Sequence, residues 1–150
     1  MSKKVVITGI GIISPLANNV KDYWAGLEAG KSGVTNITKF NPDEREIPVK
    51  IAGEVKNFDP KNYNIDRKLL RGMDTFSMFG MVAAKEAIEM AKLKESDIDK
   101  ERVGVVVGSG IGGMEAYQKN VMDFNTKNKL SPFFIPRSEE HTSELQSPNT

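Results

Sequence analysis

The 150-residue chain contains no cysteine and a single histidine, His141. The lack of thiols excludes a disulfide-stapled secreted scaffold and any chemistry that needs a cysteine nucleophile from this chain. No apolar run approaches the roughly 18 residues of a membrane span. Nor does an apolar stretch of about 7–15 residues with a small-residue cleavage site follow Lys3 and Lys4, so a signal peptide is not expected. Charge of one sign is also missing: 21 Lys and Arg face 20 Asp and Glu, too even a balance to imply nucleic acid. These absences leave a cytoplasmic protein with no membrane and no nucleic-acid partner, and the length favours a single domain.

What is present is glycine beside β-branched residues. Arg102-Val-Gly-Val-Val-Val-Gly-Ser-Gly-Ile-Gly-Gly113 starts as a short valine strand suited to burial on both faces and continues as a dense glycine turn. A helix-like segment then begins at Met114. Gly108-x-Gly110-x-x-Gly113 also fits a dinucleotide-binding turn, which would make the chain an NAD(P)-binding oxidoreductase of the Rossmann type. That motif needs an acidic residue about 20 positions on, at the end of a second strand. Asp123 lies mid-helix instead, and residues 125–136 contain no acid. The N-terminus poses the same question: a strand over residues 3–9 turns at Gly9 and Gly11. Ile13 and Pro15 stand where short-chain dehydrogenases place further glycines, and Pro15 removes an N–H donor.

Between these glycine turns the pattern is mostly helical. Asn18 or Asn19 can cap a helix with Val20, Trp24 and Leu27 on its apolar face and Gly30 as its stop, Trp24 being read as a core anchor. Residues 31–48 read as loop and 49–55 as a short, partly exposed strand. Asp59-Pro60 starts a short, irregular helix that ends near Gly72. Residues 74–92 carry the strongest helical period: Phe76, Phe79, Ala83, Ala87, Ile88 and Ala91 on one stripe, Lys85, Glu86, Glu89 and Lys92 on the wet face. Ala83, Ala84 and Ala87 are small enough to admit another element closely. Alternating strand and helix predicts an α/β layered protein.

Five motifs in order, Val5-Val-Ile-Thr-Gly-Ile-Gly11, Tyr23-Trp24-x-x-Leu27-x-x-Gly30-x-Ser32-Gly33, Met73-Asp74-x-Phe76, the 102–113 segment and Ser131-Pro-Phe-Phe-Ile-Pro136, give the chain its family likeness. It resembles the β-ketoacyl-acyl carrier protein synthases, especially the type II elongating enzymes of bacterial fatty acid synthesis. The resemblance implies the thiolase-like α/β/α arrangement, with residues 1–136 forming only its N-terminal portion. It implies an acyltransferase parent that joins malonyl-carrier protein to an acyl chain held on cysteine, works as a homodimer, and needs no cofactor of its own. Phosphopantetheine would be carried by the partner, acyl carrier protein. The ketosynthase domain of a polyketide synthase, and the non-catalytic chain-length factors, open the same way and stay as alternatives.

Carried over residue by residue, the resemblance places Ile111 in an acyl pocket that Phe133 and Phe134 reach from a partner subunit, acyl and malonyl thioesters being the ligands. It assigns carrier-protein docking to Lys68 and Arg71, with Arg67 beside them on the same helical turn; Gly72 stands where the family often has another basic residue. No catalytic residue of the family lies in this chain, and no metal site is expected. After Pro136 the resemblance ends. Residues 137–147 read like the translation of a widely used sequencing-library adapter, and 137–150 are expected to be an unrelated, disordered tail. Without them the remainder carries 20 basic and 17 acidic groups, still a mild excess.

Overall fold

The computed structural model describes residues 4–93 and 98–138. Their helices are α1 (Val20–Glu28), α2 (Arg67–Gly72), α3 (Thr75–Met90), α4 (Met114–Lys127) and α5 (Phe134–Ser138). A two-stranded antiparallel ladder pairs β1 (Thr35–Asn36) with β2 (Ile51–Ala52), in register Thr35 to Ala52 and Asn36 to Ile51. The chain forms two compact units, Met1–Tyr63 with Gly80–Leu93, and Asn64–Phe79 with Lys94–Thr150, so the boundary falls inside α3.

In the first unit the organising element is the alanine-lined part of α3. Gly9 and Gly11 lie on it so closely that a Cβ at either would collide with the carbonyl oxygens of Ala87 and Ala83. Only a residue without a Cβ fits there, and the small helix residues foreseen from the sequence are the ones approached. Glu86 locks the contact: its carboxylate accepts from Ile12 N–H at 3.0 Å and from Val20 N–H at 2.8 Å. Val20 opens α1, whose first N–H groups have no partner inside the helix. The residue expected on the wet face is therefore a cap for a neighbouring helix. Asn19 is the N-cap proper, accepting from Asp22 N–H at 2.8 Å. Gly30, at φ 64°, turns the chain after α1 ends. Trp24, read as a core anchor, is instead 61% exposed.

The second unit begins at Asn64, whose left-handed backbone (φ 54°) separates the 3-10 turn Pro60–Tyr63 from α2. The single irregular helix expected here is thus two short pieces. Asp59 caps the first through Lys61 N–H at 3.0 Å and Asp66 the second through Lys68 N–H at 2.8 Å. In α4, Ala116 and Asn120 are buried, and Asn128 (φ 51°) closes the helix by donating to the Phe124 carbonyl.

Two strands expected from the sequence are not formed. Residues 4–13 and 103–109 have no regular secondary structure; Val5 is 94% and Val106 98% exposed. Valine favours extended backbone, but a strand is defined by a neighbour's N–H and C=O groups. Buried apolar side chains among the described residues are correspondingly few, Val82 in the first unit and Ala116 in the second.

Candidate functional site

The basic residues singled out in the sequence share one face of α2. Arg67 and Arg71 are four apart, Lys68 and Arg71 three, and all three are exposed. Like charges at this spacing repel. The helix end beneath them is held by another cation: Arg137 of α5 donates from Nε at 2.9 Å, and from Nη2, to the Arg71 carbonyl. A guanidinium at a helix C-terminus meets both the unpaired carbonyl and the negative end of the peptide dipoles. Arg137 also lies 5.6 Å from the centre of the Phe133 ring. Arg137 and Ser138, placed at the head of the tail by the sequence reading, are the last residues of α5; 139–150 lie outside the described residues.

Asp74, between α2 and α3, is the second anchor. It is 8% exposed, and its carboxylate accepts from Thr75 N–H at 2.7 Å and from Ala116 N–H at 3.2 Å. Ala116 is the third residue of α4, whose N-cap is Gly113, a residue with no side chain to offer. Asp74 supplies the missing acceptor from a distance in sequence and serves two helix starts at once. Gly113 has to be glycine for this: a Cβ would strike Asp74 Oδ2 and the Arg137 carbonyl. Asn120 completes the polar core, donating to the Ala116 carbonyl at 2.7 Å and accepting from Ser131 N–H at 3.0 Å. Sequence reasoning saw Asp74 only as part of a motif and passed over Asn120. An acid directly before a helical period was a cap signal; nothing local marked Asn120.

The glycine turn before α4 carries Ile111, 66% exposed, with Ser109 Oγ donating to the Ile111 carbonyl at 3.1 Å. Phe134 packs its ring 5.8 Å from Tyr117 of α4, whereas Phe133 is 41% exposed beneath Arg137. No strand precedes Gly108, so the strand–turn–helix context that a dinucleotide motif requires is absent from the described residues. No group of three or more His, Cys, Asp or Glu able to hold a metal occurs among them, and none of their helices is long and apolar enough to cross a membrane.

A 3-oxoacyl-[acyl-carrier-protein] synthase 2 of Coxiella burnetii is 47% identical over 136 residues, covering 89% of this chain and 32% of its own length. The chain thus spans about a third of the curated relatives it matches. Among solved structures, the ishigamide ketosynthase/chain length factor superposes with TM-score 0.68 at 26% identity, over 89% of this chain and 33% of that one. A β-ketoacyl synthase from Burkholderia phymatum gives 0.73 over 94% and 35%, and at 24% identity it shows the fold alone. These neighbours place the chain in the thiolase-like α/β class and overturn the oxidoreductase alternative. The family model for the N-terminal domain of β-ketoacyl synthases matches residues 2–144, past the point where the sequence likeness was expected to stop, and the chain belongs to that family.

Proposed function

We propose that the chain is the opening portion of a 3-oxoacyl-carrier-protein synthase. The observation that carries this reading is the exposed basic face of α2 within a chain 47% identical to such an enzyme. The parent reaction is a decarboxylative condensation. A cysteine thiolate takes the acyl group from its thioester; the malonyl thioester loses carbon dioxide, and the resulting carbanion attacks the acyl carbonyl and expels the thiolate. Thiolate, proton carriers and oxyanion donors are all required, and this chain has no cysteine and only His141. It therefore contributes binding surfaces and no catalytic group. Arg67, Lys68 and Arg71 meet an acidic acyl carrier protein, their exposed charge accelerating encounter. Ile111, with Phe133 and Phe134 of a second subunit, lines the acyl slot of a homodimer in the cytoplasm. The likeness to a ketosynthase/chain length factor supports a second reading, a polyketide ketosynthase or its non-catalytic companion.

The test is binding and turnover together. Incubated with malonyl- and acyl-carrier protein, the chain yields no 3-oxoacyl product. It binds acyl carrier protein, and Lys68→Glu with Arg71→Glu weakens that binding about tenfold or more at low salt. The difference shrinks at 1 M salt, where the screening length is about 3 Å. Product formation, or equal binding by the charge-reversed variant, overturns the proposal.

A further inference from the structure

The turn that carries Ile111 is tethered at one end. Among the described residues, no backbone hydrogen bond joins residues 103–111 to another element, and the Ser109 hydroxyl bonds within the turn itself. Burial then rises residue by residue: Ile111 is exposed, Gly112 half-buried and Gly113 buried. The backbone of Gly113 (φ −68°, ψ 69°) forms an inverse γ-turn, in which Met114 N–H donates to the Gly112 carbonyl at 2.7 Å. These dihedral angles and this short hydrogen bond set the direction in which Ile111 leaves the start of α4.

Gly113 in turn is held by Asp74. A Cβ on Gly113 would lie 2.6 Å from Asp74 Oδ2, the oxygen that accepts from Ala116 N–H. The other oxygen accepts from Thr75 N–H, so the carboxylate is bound to α3 on one side and to α4 on the other. Each helix start presents unpaired N–H groups and the positive end of its dipoles, and one carboxylate answers both. A second link across this junction, Thr75 Oγ to Glu115 Oε2 at 3.2 Å, is exposed and open to competition from water.

We infer that Asp74 is a positioning residue: it fixes the turn at Gly113, thereby the place of Ile111, and so the shape of the acyl slot. This deepens the proposed function and rests on its placing of Ile111 in that slot. Asp74 acts through Gly113, two residues along the chain from the side chain it positions.

The experiment is methyl NMR of the isoleucine δ1 groups in the full 150-residue chain, with Ile111 assigned by Ile111→Val. Asp74→Asn keeps the size of the side chain but turns one acceptor oxygen and an NH2 group toward two N–H donors. It should move the Ile111 methyl resonance and leave those of Ile37 and Ile51, in the first unit, in place. It should also speed exchange of the Ala116 amide about tenfold or more, as expected for a lost hydrogen bond to a charged group. Asn120→Ala removes another buried polar group of α4 and should lower the melting temperature without moving the Ile111 methyl. Should Asp74→Asn fail to fold, Asp74→Glu carries the test. It keeps the charge and both oxygens, but its extra methylene presses on Gly113 and should move the same methyl. A medium-chain acyl pantetheine thioester should perturb the Ile111 methyl of the unmodified chain, and less so in the Asp74 variants. An Ile111 methyl unmoved by the Asp74 variants, or moved as far by Asn120→Ala, overturns the inference whatever the thioester does. A methyl that moves with Asp74 but ignores the thioester overturns the acyl-slot reading instead, and with it the part of the inference that concerns the slot; the positioning of the turn then stands.

Discussion

Two stretches of this chain are written in nearly the same way and fold differently. Residues 4–11 and 103–113 each run from β-branched residues into glycines. In the first, the glycines land on α3, and Gly9 and Gly11 touch the backbone of Ala87 and Ala83. The β-branched residues of both stretches stand in solvent; in the second most of the glycine turn does as well, and only the final glycine, Gly113, is enclosed. The difference is where a partner comes from. A glycine needs one close neighbour, and a helix with small residues supplies it within the described structure. A two-sided strand needs ladders along both edges and layers on both faces.

The comparison breaks first at Gly11. Gly11→Ala forces a methyl group into the Ala83 carbonyl, and overpacking against rigid backbone costs about 1–3 kcal/mol or more. Val106→Thr, at a residue 98% exposed, should stay within about 0.5 kcal/mol. Urea unfolding followed by helical circular dichroism measures both. Similar losses at the two positions would mean that the valine segment is packed and the contrast false.

The helix caps sharpen it. Glu86 and Asp74 each accept two backbone N–H groups, so Glu86→Ala or Asp74→Ala strands buried or half-buried donors at about 1–3 kcal/mol. Glu86→Gln and Asp74→Asn keep one acceptor oxygen and should recover part of that loss. The Glu86 variant should expose Ile12 and Val20 amides to hydrogen exchange, and the Asp74 variant those of Thr75 and Ala116. Exchange unchanged at those amides would show that the carboxylates cap nothing.

These two acids mark the limit of what the sequence could tell. The 3.6-residue period of α3, the Asn19 cap and the stop at Gly30 were legible because each involves residues within a few positions of one another. Glu86 was assigned to the wet face by the same periodicity, and rightly so for an isolated helix. What recruited it is a backbone 66 and 74 positions away, which no window sees. Asp74 and Gly113 are likewise readable only together: a cap residue without a side chain makes sense once a distant carboxylate fills its place. Strand periodicity failed in the opposite sense, naming a conformation whose stabilising partners are not among the described residues. The candidate site was legible as residue types on a helix face, but not as an arrangement, because Arg137 had been set aside with the tail.

The smallest effect belongs to the most local contact. Asp123 and Lys127 are an i,i+4 pair on α4, a spacing visible in the sequence. The Lys127 hydrogen bond, with the charges of Lys127 and Lys119, holds the Asp123 carboxyl below its ordinary value of 3.8. A carboxylate with a lowered folded pKa stabilises above its unfolded pKa, and that contribution disappears as the pH falls through the folded value. Lys127→Ala should therefore raise the Asp123 pKa toward 3.8, and the difference in stability between variant and parent should vanish in strong acid. Near neutral pH the difference should be slight, because surface ion pairs are screened by water and salt. A carboxyl-carbon NMR titration of Asp123 in both chains measures the shift. An unchanged midpoint would leave Lys119 as the cation that governs Asp123.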